Sequence, residues 1–146
     1  MTNRMDTPAS TAAPAWLRIA AIVALIWNAF GVVMFLSAVG IFGDPTAELS
    51  EAERAIAANI PGWIMAAFGI GTFTGLAGSL GLLLGRRWAW PLLLISLVAL
   101  LVLEGYIVFF SGAAAVSGVA IPISVVVGEL LLAWLARHAR EGGWMR

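Results

Sequence analysis

The chain contains no cysteine and no lysine, and its one histidine is His138. Without cysteine there are no disulfide staples, thiolate metal sites, iron–sulfur ligands or thiol redox chemistry. One histidine cannot build a bis-histidine haem site or a multi-histidine metal centre within a single chain. No Ser/His/Asp set is in reach, because His138 follows the last long apolar run. No phosphate-cradling glycine loop precedes a helix either. Neither enzymatic activity nor a bound cofactor is therefore expected. Eight arginines balance eight Asp plus Glu, so the formal net charge is zero. That leaves no basic surplus for a phosphate backbone and removes the electrostatic warrant for binding nucleic acid. Charged residues are only 11% of the 146, and hydrophobic ones are 62%. A soluble domain carries about 25% and about 45–50%. Both departures make lipid the expected solvent.

What is present is four long apolar runs. They cover about 16–42, 60–84, 88–110 and 113–136. Each reaches the roughly 20 residues that a spanning helix needs. Four in succession leave too little polar sequence to cover a soluble core. The first is not a secretory signal, because Asp6 and a Pro/Ala/Ser/Thr-rich stretch precede it and the run exceeds a signal h-region. The expected fold is all-α: an integral membrane four-helix bundle over 16–136. Residues 1–15 read as a disordered tail and 137–146 as a second tail.

Arginine placement gives the sidedness. Arg4 and Arg18 lie before or at the start of run one, Arg86 and Arg87 between runs two and three, and Arg137, Arg140 and Arg146 after run four. The link over 43–59 carries Asp44, Glu48, Glu51 and Glu53 against Arg54. With four spans, every arginine-rich end falls on one side, and both termini are expected to be cytoplasmic. Trp16, Trp88, Trp90 and Trp134 fall near that interface and Trp63 near the outer one, where indole rings partition. Within the acidic link, Ser50-Glu51-Ala52-Glu53 reads as a capping box opening a short amphipathic helix that ends by Asn59 and Pro61. It serves as a spacer or, less simply, as a lid.

Small residues recur along run two. Ala67, Gly71, Gly75 and Ser79 stand at every fourth position, a ridge for close helix packing in lipid. Spacing alone does not say whether this contact lies within one bundle or between subunits. Four short spans bury little alone, which favours a homo-oligomer. In run four, Pro122 predicts a kink near the outer end.

Glu104 and Glu129 are the ionisable residues well inside spans, where each costs a few kcal/mol or more. Depth counted along the helices orders Glu129, Asn28 and Glu104 from the inner side outward, with Thr72 and Thr74 near Asn28. Three readings follow. The groups form a polar track for protons and a small polar solute, or each carboxyl is protonated interhelical glue, or Glu129 is partly hydrated near the headgroups. Removal from water disfavours a charged carboxyl, so at least one of the two is expected to be neutral at pH 7.

Three stretches carry a resemblance. They are Trp27-Asn28-Ala29-Phe30-Gly31, the segment from Glu51-Ala52-Glu53-Arg54 to Pro61-Gly62-Trp63, and Gly81-Leu82-Leu83-Leu84 with Arg86-Arg87-Trp88-Ala89. Together they resemble a family of small bacterial four-span inner-membrane proteins that often carry the label "sugar transporter", over about Trp16 to Arg146. The resemblance implies a bacterial inner-membrane location and a sugar as solute, and it transfers no site residue. A non-transporting scaffold or modulatory subunit is the alternative reading.

Overall fold

The computed structural model describes residues 13–146. Residues 1–12, which hold most of the expected N-terminal tail, lie outside the described residues. The elements are α1 (Ala15–Ala38), α2 (Glu51–Ala58), α3 (Gly62–Leu83), α4 (Ala89–Phe109), α5 (Ala113–Ser117) and α6 (Ala120–Glu141), with no strand among the described residues. Four of them, α1, α3, α4 and α6, have 21 to 24 residues and are apolar enough to cross a membrane. At the rise of an α-helix they extend about 32–36 Å, enough for a hydrocarbon layer of about 30 Å. Their outward faces suit lipid: Ile19, Val23, Ile26, Phe30, Val98, Leu131 and Trp134 are all exposed.

Two ends differ from the run boundaries, and each has a local cause. α1 stops at Ala38 rather than near 42. The Ile41 N–H bonds to the Leu36 carbonyl and the Gly40 N–H to the Ser37 carbonyl, both at 3.0 Å. Gly40 sits at φ +82°, so the helix closes in a Schellman motif that needs a residue free to go left-handed. The fourth run divides at Gly118, which has φ +75°, into α5 and α6. Pro122 then falls in the first turn of α6, where its missing N–H costs no helical bond. The expected Pro122 kink is replaced by this break, and α6 continues to Glu141, beyond the 136 expected.

α3 packs on α4 and α1, and α4 packs on α6, whereas α1 and α6 touch only lightly. The glycines of α3 set the closeness of the central seam. A Cβ at Gly71 would lie 2.6 Å from Leu100 Cγ, one at Gly78 2.7 Å from Leu93 Cγ, and one at Gly81 2.5 Å from a Trp88 ring carbon. In lipid such backbone approach supplies van der Waals contact in place of hydrophobic drive.

The two ends of the bundle are built differently. At the arginine-rich end all four spans converge: Leu17 and Ala21 of α1, Leu82 of α3, Leu93 of α4 and Leu135 and Ala136 of α6 share one core with Met145. The C-terminal segment is tied in by bonds from Arg146 N–H to the Gly85 carbonyl (2.7 Å) and from Arg87 N–H to Arg146 (3.1 Å). His138 stacks on Trp134 at 5.5 Å and meets Trp144 edge-on at 5.6 Å. At the acidic end the buried cluster is Ile64, Leu100 and Leu103, backed by Phe68, Tyr106 and Val125, without α1. There α1 reaches α3 through Phe35, which meets Phe68 and Phe73 edge-on. The capping box of α2 is formed as expected, with the Ser50 N–H 2.9 Å from a Glu53 carboxylate oxygen and the Glu53 N–H 3.3 Å from Ser50 Oγ. α2 rests against α5.

Candidate functional site in the membrane interior

Midway along the spans, polar side chains from four helices meet beside Gly75. Asn28 of α1 is buried and donates through Nδ2 to the Ala24 carbonyl and to Ser79 Oγ of α3, each at 3.1 Å. Its carboxamide oxygen lies over Gly75, in the space a Cβ would occupy, and Ser96 Oγ of α4 would stand 2.8 Å from that same Cβ. Ser96 Oγ is 2.8 Å from the Gly71 carbonyl oxygen and 3.0 Å from Oε2 of Glu129 on α6. Glu129 is 1% exposed, and its Oε1 is buried with no hydrogen-bond partner among the described residues.

The local cause is the loss of side-chain volume on α3. Gly71 and Gly75 open a slot that brings the α4 backbone close, so that the short Ser96 side chain can reach a main-chain carbonyl of its neighbour. The same slot lets Asn28 enter from the other side. A Leu at either glycine would close it.

The other candidate residues fall elsewhere. Thr72 is buried, but its hydroxyl bonds back to the Phe68 and Gly69 carbonyls of its own helix, at 3.0 and 3.2 Å. Its methyl faces Gly31 of α1. Thr74 does the same with the Ile70 carbonyl at 2.6 Å. This back-bonding is the common fate of threonine inside a helix, and it commits the hydroxyl hydrogen of each to its own helix. Glu104 is half-buried and stands eight residues from Ser96 on α4, about 12 Å along the axis and about 80° around it. Asn28 and Glu129 thus share one level, and Glu104 is not a further rung of the same ladder. Of the α3 ridge, Gly71, Gly75 and Ser79 make contacts inside this one chain. Ala67 lines a shallow apolar groove of about 480 Å³ with Trp63, Ile70, Ile95 and Val98.

Ser96 is the residue that sequence reasoning passed over. A faint signal exists: it is the lone small hydroxyl in α4, at the depth that Asn28 and Glu129 share. Chemically the site offers one carboxyl that can gain or lose a proton, an amide, two hydroxyls and an oxygen without a partner. Among the described residues no three His, Cys, Asp or Glu side chains come together as a metal ion would require. No family model matches the chain, and no curated protein or solved structure matches it.

Proposed function

We propose that this protein is a small transporter or permease-like protein of the bacterial inner membrane, with both termini cytoplasmic. It would move a small polar solute, with a sugar the first candidate from the resemblance, and Glu129 would carry a coupled proton. The observation that carries the reading is the half-satisfied state of Glu129. A carboxyl serving only as glue would have both oxygens bonded. This one holds a Ser96 bond on one oxygen and leaves the other bare in a buried setting, where an unmet polar atom is costly. A ligand hydroxyl donating to Oε1 would meet that demand.

Hydrogen counting supports the proton role. Ser96 has one hydroxyl hydrogen and two acceptors within reach, the Gly71 carbonyl and Glu129 Oε2. If Ser96 donates to the carbonyl, the carboxyl must itself supply the hydrogen that bonds Ser96, and is neutral. If Glu129 loses that proton, the Ser96 hydroxyl turns toward it and releases the Gly71 carbonyl. The protonation state is thus tied to the contact between α3 and α4.

The test is reconstitution into vesicles holding a pH-sensitive dye, with a panel of monosaccharides and polyols presented outside. Solute-stimulated proton entry is expected for the native protein and for Glu104→Gln, and is expected to vanish for Glu129→Gln. Absence of flux for every solute and for an imposed pH gradient would contradict the transport reading. The scaffold reading then gains weight, since the apolar groove between α3 and α4 would accept a partner's helix. Reporters fused after Arg146 and into 44–58 test the orientation, and finding both on one side would overturn it.

A further inference from the structure

The arginine-rich end holds a second feature, independent of Glu129. Arg87, in the turn between α3 and α4, and Arg140, near the end of α6, line a groove of about 510 Å³ with Trp90 and Pro91 of the first turn of α4. That volume lies within the range of small-ligand sites, about 300–1,000 Å³. The Arg140 guanidinium carbon stands 4.8 Å from the centre of the Trp90 ring, which steadies the cation without neutralising it. Arg87 donates from Nε to the Met145 carbonyl at 3.4 Å, and its backbone N–H bonds Arg146. Among the described residues neither guanidinium is in an ion pair, and Glu141, which lies within electrostatic reach of Arg140, is bonded to Arg137 instead. The ion pair at this end joins two other residues, Arg137 and Glu141, at 2.8 Å.

We propose that Arg87, Trp90 and Arg140 form a binding site for the phosphate of an anionic phospholipid in the leaflet at this end of the bundle. Two arginines, one from the α3–α4 turn and one from α6, neither in an ion pair with a carboxylate among the described residues, complement a phosphodiester, which their planar forks can grip through two parallel N–H bonds. The depth fits. Trp90 and Pro91 lie in the first turn of a spanning helix, at the level where indole rings and lipid phosphates share the interface. Basic pockets between spans at that level take up anionic headgroups. A lipid suits the site better than free phosphate because Pro91 shares its face of α4 with exposed Ile95 and Val98, at i+4 and i+7. Those side chains continue into the apolar groove between α3 and α4, giving an acyl chain a track from the headgroup.

The experiment is native mass spectrometry of the purified protein after exposure to phosphatidylglycerol or phosphatidylcholine of identical acyl chains, with inorganic phosphate as a third arm. Retention of phosphatidylglycerol well above phosphatidylcholine is expected, undisturbed by inorganic phosphate at equal concentration. Arg87→Gln and Arg140→Gln should each weaken retention about five-fold, the factor that about 1 kcal/mol per arginine near the surface represents. Arg137→Gln, at the paired and exposed arginine, should leave it unchanged. Equal retention of the two lipids by the native protein overturns the proposal, as does displacement by inorganic phosphate. Native-level retention in the Arg87→Gln, Arg140→Gln double variant overturns it as well. Should a variant melt early, the native protein's choice between the two lipids still decides the matter.

Discussion

Two levels of the bundle carry a glutamate, and they are built in opposite ways. At the level of Glu129, glycines on α3 draw the helices together, and hydroxyl and amide groups fill what remains. At the level of Glu104, the spans meet through Ile64, Leu100 and Leu103. A Cβ added to Gly105, next to Glu104, would meet only open space. The carboxyl stays at the edge, half-buried. The contrast shows what burying a carboxyl in an apolar bundle requires. A donor must be brought within about 3 Å of it, and with short side chains that happens only where backbones approach closely. Glycine spacing on one helix thus decides the fate of an acid on another.

The strongest way to break the contrast is to fill the slot. Gly75→Ala places a methyl against the Asn28 carboxamide and the Ser96 hydroxyl. It should cost about 1–3 kcal/mol through overpacking, seen as a lower melting temperature in detergent, and Gly75→Leu should cost more. Gly105→Ala should instead gain up to about 1 kcal/mol, since alanine is the better helix former. Equal melting of the two alanine variants would mean that the slot does not constrain the seam.

A smaller effect is expected from the acids themselves. Glu129→Leu removes a partner of buried Ser96 and should destabilise by about 1–2 kcal/mol. Glu104→Leu should be neutral or stabilising, because it takes a half-buried polar group away from lipid. A reversed order in thermal melting would place the important carboxyl at the other level.

The smallest effect sharpens the comparison from outside the membrane, where a carboxyl is solvated. The Ser50 hydroxyl and backbone N–H bond to Glu53 and hold its carboxyl below the usual glutamate range. Such a group adds stability above its unfolded-state value, and that stability is lost as the pH falls through the lower folded value. The protection of α2 amides against exchange, taken relative to the intrinsic exchange rate at each pH, should therefore fall on acidification, while the melting temperature of the bundle hardly moves.

Much of this architecture was legible in the residues. Four runs of spanning length gave four spans, and arginine placement grouped the ends that do meet. Ser50 and Glu53 announced their helix through their spacing. The breaks at Gly40 and Gly118 were hidden because a glycine inside an apolar run reads as one more small residue until its backbone angle is known. The polar core was half legible. Asn28 and Glu129 stood out by the cost of placing them in lipid, whereas Ser96 did not, because a serine can satisfy itself on its own helix. Its role appears only once the antiparallel register of α3 and α4 sets it beside Gly71. Depth counting along the helices ignores rotation about each axis, so it does not show that Asn28 and Glu129 share a level while Glu104 stands half-buried at the edge.

In the function proposed above, Glu129 is a neutral carboxyl held by Ser96 where four spans meet, while Glu104 stands apart from that network. Infrared difference spectra at pH 7, native protein minus each Gln variant, test it most directly. Glu129→Gln should remove a protonated-carboxyl stretch, and Ser96→Ala should shift that band toward a weaker hydrogen bond without abolishing it. Glu104→Gln should leave the band in place. A spectrum in which Glu129→Gln removes only a carboxylate band, with no protonated-carboxyl band present at pH 7, would contradict the claim.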